Sequence, residues 1–149
     1  MNALSDNTKK RPAYMNRLSP ERAAALYAQI LQKVKKNRYH RDPLFTATRL
    51  AAELHTNTRY ISVAVAACTG SNFCGMMNAL RMQDACRMLR SEKHAALTLE
   101  EIALQAGFSS RQVFYKVFQQ AYGCTPREYR MCKDAVHPVR SAPHAPARS

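Results

Sequence analysis

Several features of enzymes and metal-binding proteins are missing from this sequence. The 149 residues include no tryptophan and only 4 glycines. No glycine-rich phosphate loop, nucleotide fingerprint or pair of catalytic carboxylates is present. The histidines stand isolated, without the spacing to cysteine or aspartate that a metal or catalytic site shows; they are His40, His55, His94, His137 and His144. We therefore expect neither an enzyme nor a protein with a cofactor or a bound metal.

The sequence also lacks any segment that indicates a membrane or secreted protein. No apolar run approaches the roughly 20 residues that a membrane span needs. The N-terminal stretch MNALSDNTKKRPAYMNR contains no hydrophobic centre of a secretory signal. The five cysteines are scattered without a Cys-x-x-Cys pair, so neither disulfides nor zinc are expected. These absences predict a cytoplasmic protein with no membrane partner.

Negative charge is scarce in a chain that is strongly basic. Lysine and arginine number 23 against 10 aspartates and glutamates, which gives a formal net charge of +13. An excess of this size favours a polyanionic partner, with nucleic acid ahead of an anionic membrane. Charge alone does not separate DNA from RNA, so that distinction has to come from a motif.

The motif is found in residues 98–123, TLEEIALQAGFSSRQVFYKVFQQAYG. Thr98 and Glu101 form a capping box that starts a helix, and Gly107 ends it. Ser109 or Ser110 is a natural N-cap for a second helix, which ends at the next glycine. Apolar residues recur at helical spacing in both: Leu99, Ile102, Ala103 and Ala106 in the first, then Phe114, Val117, Phe118 and Ala121 in the second. Two short helices joined by a glycine turn predict a helix-turn-helix.

The face of the second helix opposite Phe114 is polar. It carries Gln112, Lys116 and Gln119, with Tyr115 and Gln120 beside them, and Arg111 in the first turn of the same helix is a further candidate for the readout. Glutamine pairs with adenine edges, and lysine with the O6 and N7 atoms of guanine, so this face suits a DNA major groove. The alternative is a helix face that is only solvated.

This stretch resembles the DNA-binding domain of the AraC family of bacterial transcription regulators. The matching motifs are Glu101-Ile102-Ala103, Gly107-Phe108, Phe114 with Phe118, Gly123, and Thr125-Pro126-x-x-Tyr129-Arg130. The resemblance extends upstream and covers residues 39–130. It implies an all-α fold with two homeodomain-like helix-turn-helix modules on one long linker helix. It also implies that each module places one helix in successive major grooves of double-stranded DNA.

An internal repeat supports the first module, residues 45–70. Ala51 precedes its counterpart Ala103 by 52 residues, whereas Ile61 precedes Phe114 by 53. One residue has therefore been inserted in the second turn. The recognition helix of the first module is poorer in polar groups: Arg59 and Ser62 are its hydrogen-bonding candidates. Either Val63 contacts thymine methyl groups, or this helix barely reads the DNA sequence. The scarcity of polar groups favours the second module as the main reader.

The helix candidate at residues 73–90 changes its apolar face midway, as a linker between two bodies requires. Phe73, Met76, Met77 and Leu80 share one side, and Met82, Ala85 and Leu89 share another. The family pattern also matches here, at Asn78, Leu80-Arg81, Ala85 and Leu89. Gly75 departs from it and predicts a soft spot in the helix, since glycine costs about 1 kcal/mol there relative to alanine.

These patterns divide the chain into an arm, one DNA-binding unit and a tail. We expect a disordered basic arm at 1–18, the unit at 19–132 with an additional helix at 19–38 and a closing helix at 126–131, and a disordered tail at 133–149. The predicted function is a sequence-specific regulator of transcription, an activator rather than a repressor, located at the nucleoid. A sensing or dimerisation domain has no room in this length, so we expect a monomer, with RNA polymerase as a second partner. The alternatives are a non-specific architectural DNA-binding protein and an adaptor that contacts the transcription machinery.

Overall fold

The computed structural model of the protein describes residues 18–132, and within that range all regular secondary structure is helical. The α-helices are α1 (Pro20–Asn37), α2 (Ala47–Glu53), α3 (Thr58–Thr69), α4 (Phe73–Arg90), α5 (Leu99–Ala106), α6 (Arg111–Tyr122) and α7 (Pro126–Met131). Two 3-10 turns, Tyr39–Arg41 and Glu92–His94, lie between them. The predicted all-α class is confirmed. The expectations for residues 1–17 and 133–149 concern segments outside the described residues.

Side-chain caps set where the helices begin. Thr46 accepts a hydrogen bond from the Arg49 amide at the start of α2. Ser110, rather than Ser109, does the same for Val113 at the start of α6. Thr98 and Glu101 form the predicted capping box, with both reciprocal hydrogen bonds in place. These bonds satisfy amides that have no partner in the first turn of a helix.

The start of α1 corrects one predicted boundary. Leu18 was assigned to the arm, but it is half-buried and packs against the first core. Ser19 caps the helix by accepting from the Arg22 amide at 3.2 Å. Because Leu18 precedes that cap, it occupies the position from which an apolar side chain packs back on the first turn.

The helices enclose two cores, and α4 contributes to both. Met76, Met77 and Leu80 belong to the first core, with residues of α1, α2 and α3. The second core contains Met82, Ala85, Cys86, Met88 and Leu89, together with residues of α5, α6 and α7. The predicted change of face along the linker helix is confirmed.

The inserted residue lies in the turn between α5 and α6. His55 and Gly107, which are 52 residues apart, take the equivalent positive φ angles of 57° and 108°. The caps Asn57 and Ser110 are 53 residues apart. The extra residue therefore falls between Gly107 and Ser110. Both turns otherwise close in the same way, because the Thr56 amide donates to Ala51 and the Phe108 amide to Ala103.

Gly75 lies in the first turn of α4 rather than in its middle. Its amide donates to the Asn72 side chain, which caps the helix at 2.7 Å. A Cβ at this position would lie 2.0 Å from the Ser71 hydroxyl oxygen. The predicted soft spot rests on the cost of glycine in a helix interior, whereas Gly75 lies in the capped first turn.

In the described part of the chain, no single helix has both the length and the apolar character to cross a membrane. Only α3 and α4 together pass such a test, and they are bent by 58° where they meet.

Candidate nucleic-acid interface

Helix α6 exposes most of the predicted reading residues on one surface. Its inward residues Phe114 and Phe118 are fully buried, and they fix which face of the helix points out. Arg111, Gln112, Lys116 and Gln119 are exposed, and Tyr115 is half-buried at the edge of this surface. We call these five residues the α6 face. The structure therefore brings together the residues predicted for the second readout.

Two members of the α6 face are in mutual contact. The Arg111 guanidinium lies 4.9 Å from the centre of the Tyr115 ring, within the range of a cation–π interaction. Its Nη2 also lies 3.5 Å from the Tyr115 hydroxyl oxygen, at the outer limit of a hydrogen bond. The Tyr115 ring packs edge-on against Phe114 at 6.0 Å between centroids. Arg111 is thereby connected to the core through an aromatic side chain, which restricts its motion at the surface.

An aromatic cluster supports α6 from below. Phe114 contacts Phe108 at 5.1 Å and Phe118 at 5.7 Å between ring centroids. Phe118 stacks on Tyr122 at 4.7 Å and meets Tyr129 edge-on at 5.3 Å. Burial raises the pKa of the Tyr122 hydroxyl well above its ordinary value. This cluster presents the α6 face from a rigid support.

The cluster is also tied to the linker helix. Arg90 on α4 donates through Nε to the Tyr129 hydroxyl at 2.8 Å, and its guanidinium lies 4.6 Å from the centre of that ring. Arg130 on α7 donates to the carbonyl oxygens of Leu97 and His94, both at 2.9 Å. The second module is consequently attached to α4 and to the loop before α5 by polar as well as apolar contacts.

Helix α3 presents a different surface. Arg59 and Ser62 are exposed, as predicted, whereas Val63 is half-buried. Asn57 caps the helix by accepting from the Tyr60 amide at 2.8 Å. From residue 60 to residue 69 the sequence contains no charged side chain, and the exposed positions beyond Ser62 are Ala66, Ala67 and Cys68. The outward surface of α3 thus consists of one cation, one hydroxyl and small apolar groups.

The 3-10 turn Tyr39–Arg41 lies between α1 and α2. On the side of the first module, Tyr39 stacks on Phe45 at 4.2 Å between centroids. Its hydroxyl donates to Glu53 Oε1 at 2.6 Å. The Arg49 guanidinium lies over both rings, at 5.3 and 5.1 Å from their centres. These contacts fix the turn to α2.

On its other side the turn is fixed to α4 by a buried carboxylate. His40 Nε2 donates to Asp84 Oδ2 at 2.7 Å, and Arg41 Nε donates to the same oxygen at 2.8 Å. Burial of Asp84 opposes its ionisation, but the hydrogen bonds from Arg41 and His40 outweigh that effect and lower the pKa of the carboxyl. His40 thus takes part in a buried hydrogen bond that links the turn to α4. Its partner is 44 residues away, so no local spacing indicated the pair.

The turn also contacts the second module. A Cβ on Gly107 would lie 2.2 Å from the His40 carbonyl oxygen and 2.6 Å from the Arg41 Cα. Only a residue without a side chain permits this approach, and the φ of 108° at Gly107 favours glycine as well. The glycine that ends α5 therefore has two roles, as a helix terminator and as a contact between the modules.

Comparison with known proteins agrees with this geometry. A family model described as a helix-turn-helix domain matches residues 50–131, more than half of the chain. The chain is 38% identical over 61 residues to the xylose operon regulatory protein of Escherichia coli, which covers 41% of this chain and 15% of that protein. It is 30% identical over 86 residues to the RCS-specific HTH-type transcriptional activator RclR of Escherichia coli. That match covers 58% of this chain and 29% of RclR. The chain thus spans less than a third of the length of either relative.

Two solved structures match a larger share of this chain than these sequence relatives do. The C-terminal domain of the two-component response regulator yesN from Fusobacterium nucleatum superposes with a TM-score of 0.61 and 26% identity, covering 71% of this chain and 98% of that one. The C-terminal domain of AraT, a response regulator from Geobacillus stearothermophilus, superposes with a TM-score of 0.58 and 27% identity. The match covers 76% of this chain and 86% of that one. Because the yesN match covers 71% of this chain, which is most of residues 18–132, the similarity extends over both modules and the helix between them.

Proposed function

Because the chain belongs to the AraC family of helix-turn-helix transcription regulators, we propose that it is a sequence-specific regulator whose α3 and α6 enter successive major grooves of duplex DNA. The observation that carries this proposal is the α6 face, five polar or aromatic side chains held on a buried aromatic support. A formal charge of +13 supplies the general attraction to phosphates. The sequence preference then comes from the base edges that the exposed side chains contact.

Within the α6 face, we assign different roles to different side chains. Lys116 and Arg111 are suited to guanine, whose O6 and N7 atoms accept hydrogen bonds from cations. Gln112 and Gln119 are suited to adenine, which offers both a donor and an acceptor in the major groove. Tyr115 orients Arg111 through the ring contact at 4.9 Å. The α6 face therefore has the chemical variety to distinguish base pairs.

For α3 we propose a smaller share of the readout. Arg59 is the side chain suited to guanine, and Ser62 can donate to or accept from any base. Val63 offers methyl groups, which suit contact with the methyl of thymine. The two recognition helices would then lie one helical turn of DNA apart, about 34 Å, on the same side of the duplex.

The action on transcription is also a proposal. We infer that the protein activates its targets in the cytoplasm at the nucleoid, as a monomer that contacts RNA polymerase. RclR is named as a transcriptional activator, which supports activation over repression. The small apolar surface of α3 is compatible with a protein contact as well as a base contact.

Selection of genomic DNA fragments by the purified protein tests the function. The selection is made at about 150 mM salt with excess random DNA, because at low salt the phosphate attraction alone retains every fragment. We expect enriched fragments that share two short motifs about one helical turn apart. One motif would assign the readout to α6 alone. No enrichment over random sequence would overturn the proposal and favour a non-specific architectural protein, the second function that the charge of +13 supports.

A further inference from the structure

The three consecutive residues of the turn Tyr39–Arg41 face two different parts of the molecule. Tyr39 is attached to α2 of the first module through its hydrogen bond to Glu53. His40 and Arg41 are attached to α4 through Asp84, and their backbone lies against Gly107 of the second module. We call the turn, Asp84 and Gly107 the brace. It is a second connection between the modules, beside the covalent one through α4.

We propose that Asp84, through His40 and Arg41, is the positioning residue that fixes the distance and the rotation between α3 and α6. In this way it determines the spacing of the DNA half-sites that the protein accepts. The inference rests on the proposed function, since it concerns how two recognition helices engage one DNA duplex. It adds that the selectivity for spacing originates in residues outside both proposed reading faces.

The argument begins with α4 as the covalent link. Each module packs on a different stretch and face of this helix, and a small shift at either packed interface would change the angle between the modules. A second contact away from the helix axis restrains the modules from rotating or shifting relative to each other. The turn provides such a contact, because it lies against α4 and α5 at once.

The chemistry of the brace makes the contact directional. The Asp84 side chain is 8% exposed, and its Oδ2 accepts from His40 and Arg41. Breaking a buried, charge-assisted pair leaves an uncompensated charge, so the pair resists separation more strongly than an exposed one. Arg87 approaches the other carboxylate oxygen at 2.8 Å, but its side chain is 66% exposed. Arg87 therefore contributes less to holding the modules, as exposed ion pairs do.

The backbone of the turn is held in the same place. Arg81 on α4 donates through Nε to the His40 carbonyl oxygen at 2.6 Å. Its Nη1 donates to Asn78 at 2.9 Å, which orients the guanidinium. Since the His40 oxygen also faces Gly107, a shift of the second module would displace an atom that α4 already binds.

A rigid relation between the recognition helices has a measurable consequence on DNA. Each base pair added between the half-sites moves one by about 3.4 Å and rotates it by about 34° relative to the other. A rigid protein then loses the contacts of one module, whereas a flexible protein adapts. Selectivity for spacing, apart from affinity for one half-site, is thus the property that the brace controls.

The first experiment measures affinity for duplexes whose half-sites are separated by the selected spacing or by one or two base pairs more or less. For the wild-type protein we expect about a tenfold or larger loss at wrong spacings, because joined modules lose the benefit of binding together. In Asp84→Asn, which keeps the shape of the side chain, we expect a loss of about threefold or less. Affinity for a duplex with only the second half-site should be unchanged. A wild-type spacing profile in Asp84→Asn would overturn the inference.

Two further variants control this experiment. Arg87→Gln removes the exposed partner of the same carboxylate, and it is expected to keep the wild-type profile. Arg41→Gln removes a partner whose side chain is 32% exposed and leaves the Asp84 carboxylate with His40 and Arg87 as partners. It keeps the test valid if Asp84→Asn does not fold, as judged by thermal unfolding, and we expect an intermediate profile. A profile in Arg41→Gln equal to that of Arg87→Gln would contradict the role of the brace.

The second experiment uses no DNA, so its outcome is independent of the proposed function. Genetically encoded spin labels at the exposed positions Ala66 on α3 and Gln120 on α6 report the distribution of distances between the modules. We expect a narrow distribution in the wild type and in Arg87→Gln, and a broader one in Asp84→Asn. An unchanged distribution would overturn the inference whatever the DNA shows. A broader distribution in a protein without any sequence preference would support the positioning role of Asp84 and overturn the proposed function instead.

Discussion

The carbonyl oxygen of His40 faces Gly107 so closely that a Cβ on the glycine would lie 2.2 Å away from it. The two residues are 67 positions apart, yet this contact joins the turn before the first module to the turn of the second. It accounts for a glycine here beyond the positive φ of 108°. The other turn takes its positive φ with a histidine, His55 at 57°.

Gly107→Ala is therefore expected to be more damaging than an ordinary glycine replacement. The substitution combines backbone strain with displacement of the His40 carbonyl, and we expect a loss of about 2–4 kcal/mol in the free energy of unfolding. Gly123→Ala is the matched control, because Gly123 is exposed and has a φ of 73°. It should cost about 1 kcal/mol from strain alone. Chemical denaturation measures both, and equal losses would contradict the close approach.

Stability should depend on pH through Asp84. Its pKa in the folded protein lies below the ordinary value. The stabilisation by the carboxylate is therefore fully present above the unfolded pKa of about 3.9 and is lost as the pH falls through the folded pKa. We expect the free energy of unfolding to fall more steeply below about pH 4 in the wild type than in Asp84→Asn. Denaturation curves between about pH 5 and pH 2.5 measure this.

Glu53 gives an acid-dependent contribution of the same sign, since the hydrogen bond from Tyr39 lowers its pKa. Asp84→Asn should for that reason reduce the slope without abolishing it. Arg87→Gln keeps the Asp84 carboxylate and its hydrogen bonds from His40 and Arg41. The pH dependence of its free energy of unfolding should therefore match that of the wild type. Parallel curves for wild type and Asp84→Asn would show that the carboxyl has no depressed pKa.

The caps and the periodicity allowed most of the fold to be predicted from the sequence. A capping box such as Thr98 with Glu101 is a local signal, and so is the change of face along α4. The brace was missed because its partners are distant in sequence: nothing near His40 indicates Asp84. The α6 face was accessible to prediction because helical geometry fixes what lies opposite Phe114, whereas the ring contact between Tyr115 and Arg111 depends on rotamers.

Lys116→Ala tests the α6 face directly. If Lys116 contacts a guanine, its removal should cost about 1–3 kcal/mol in binding to the selected sequence and relax the preference at one base step. Lys93→Ala, an exposed lysine in the turn Glu92–His94, removes the same charge outside both recognition helices and serves as the control. Titrations with the selected duplex and with single-base variants give both quantities. An equal loss on all sequences would identify Lys116 as a phosphate contact.

Two substitutions at Tyr115 separate its ring from its hydroxyl. The Arg111 Nη2 atom lies 3.5 Å from the hydroxyl oxygen, a weak contact, while the ring is 4.9 Å from the guanidinium. We therefore expect Tyr115→Phe to bind DNA almost as the wild type does. Tyr115→Leu should lose about 0.5–1 kcal/mol of binding, the range of a cation–π contact at an exposed site. If Tyr115→Phe weakens binding as much as Tyr115→Leu does, the hydroxyl itself contacts DNA.

The apolar surface of α3 can be tested by changing the DNA rather than the protein. Uracil differs from thymine only in lacking the C5 methyl group that an apolar side chain contacts in the major groove. If Val63 meets such a methyl, replacing thymine by uracil in the first half-site should weaken binding about two- to fivefold. The same replacement in the second half-site should have a smaller effect, because the α6 face reads through polar groups. Val63→Ala should remove most of the difference between the thymine and uracil duplexes. A uracil effect that persists in Val63→Ala would assign the methyl contact to another side chain of α3. If uracil has no effect on the wild-type protein, Arg59 and Ser62 remain as the proposed base contacts of α3.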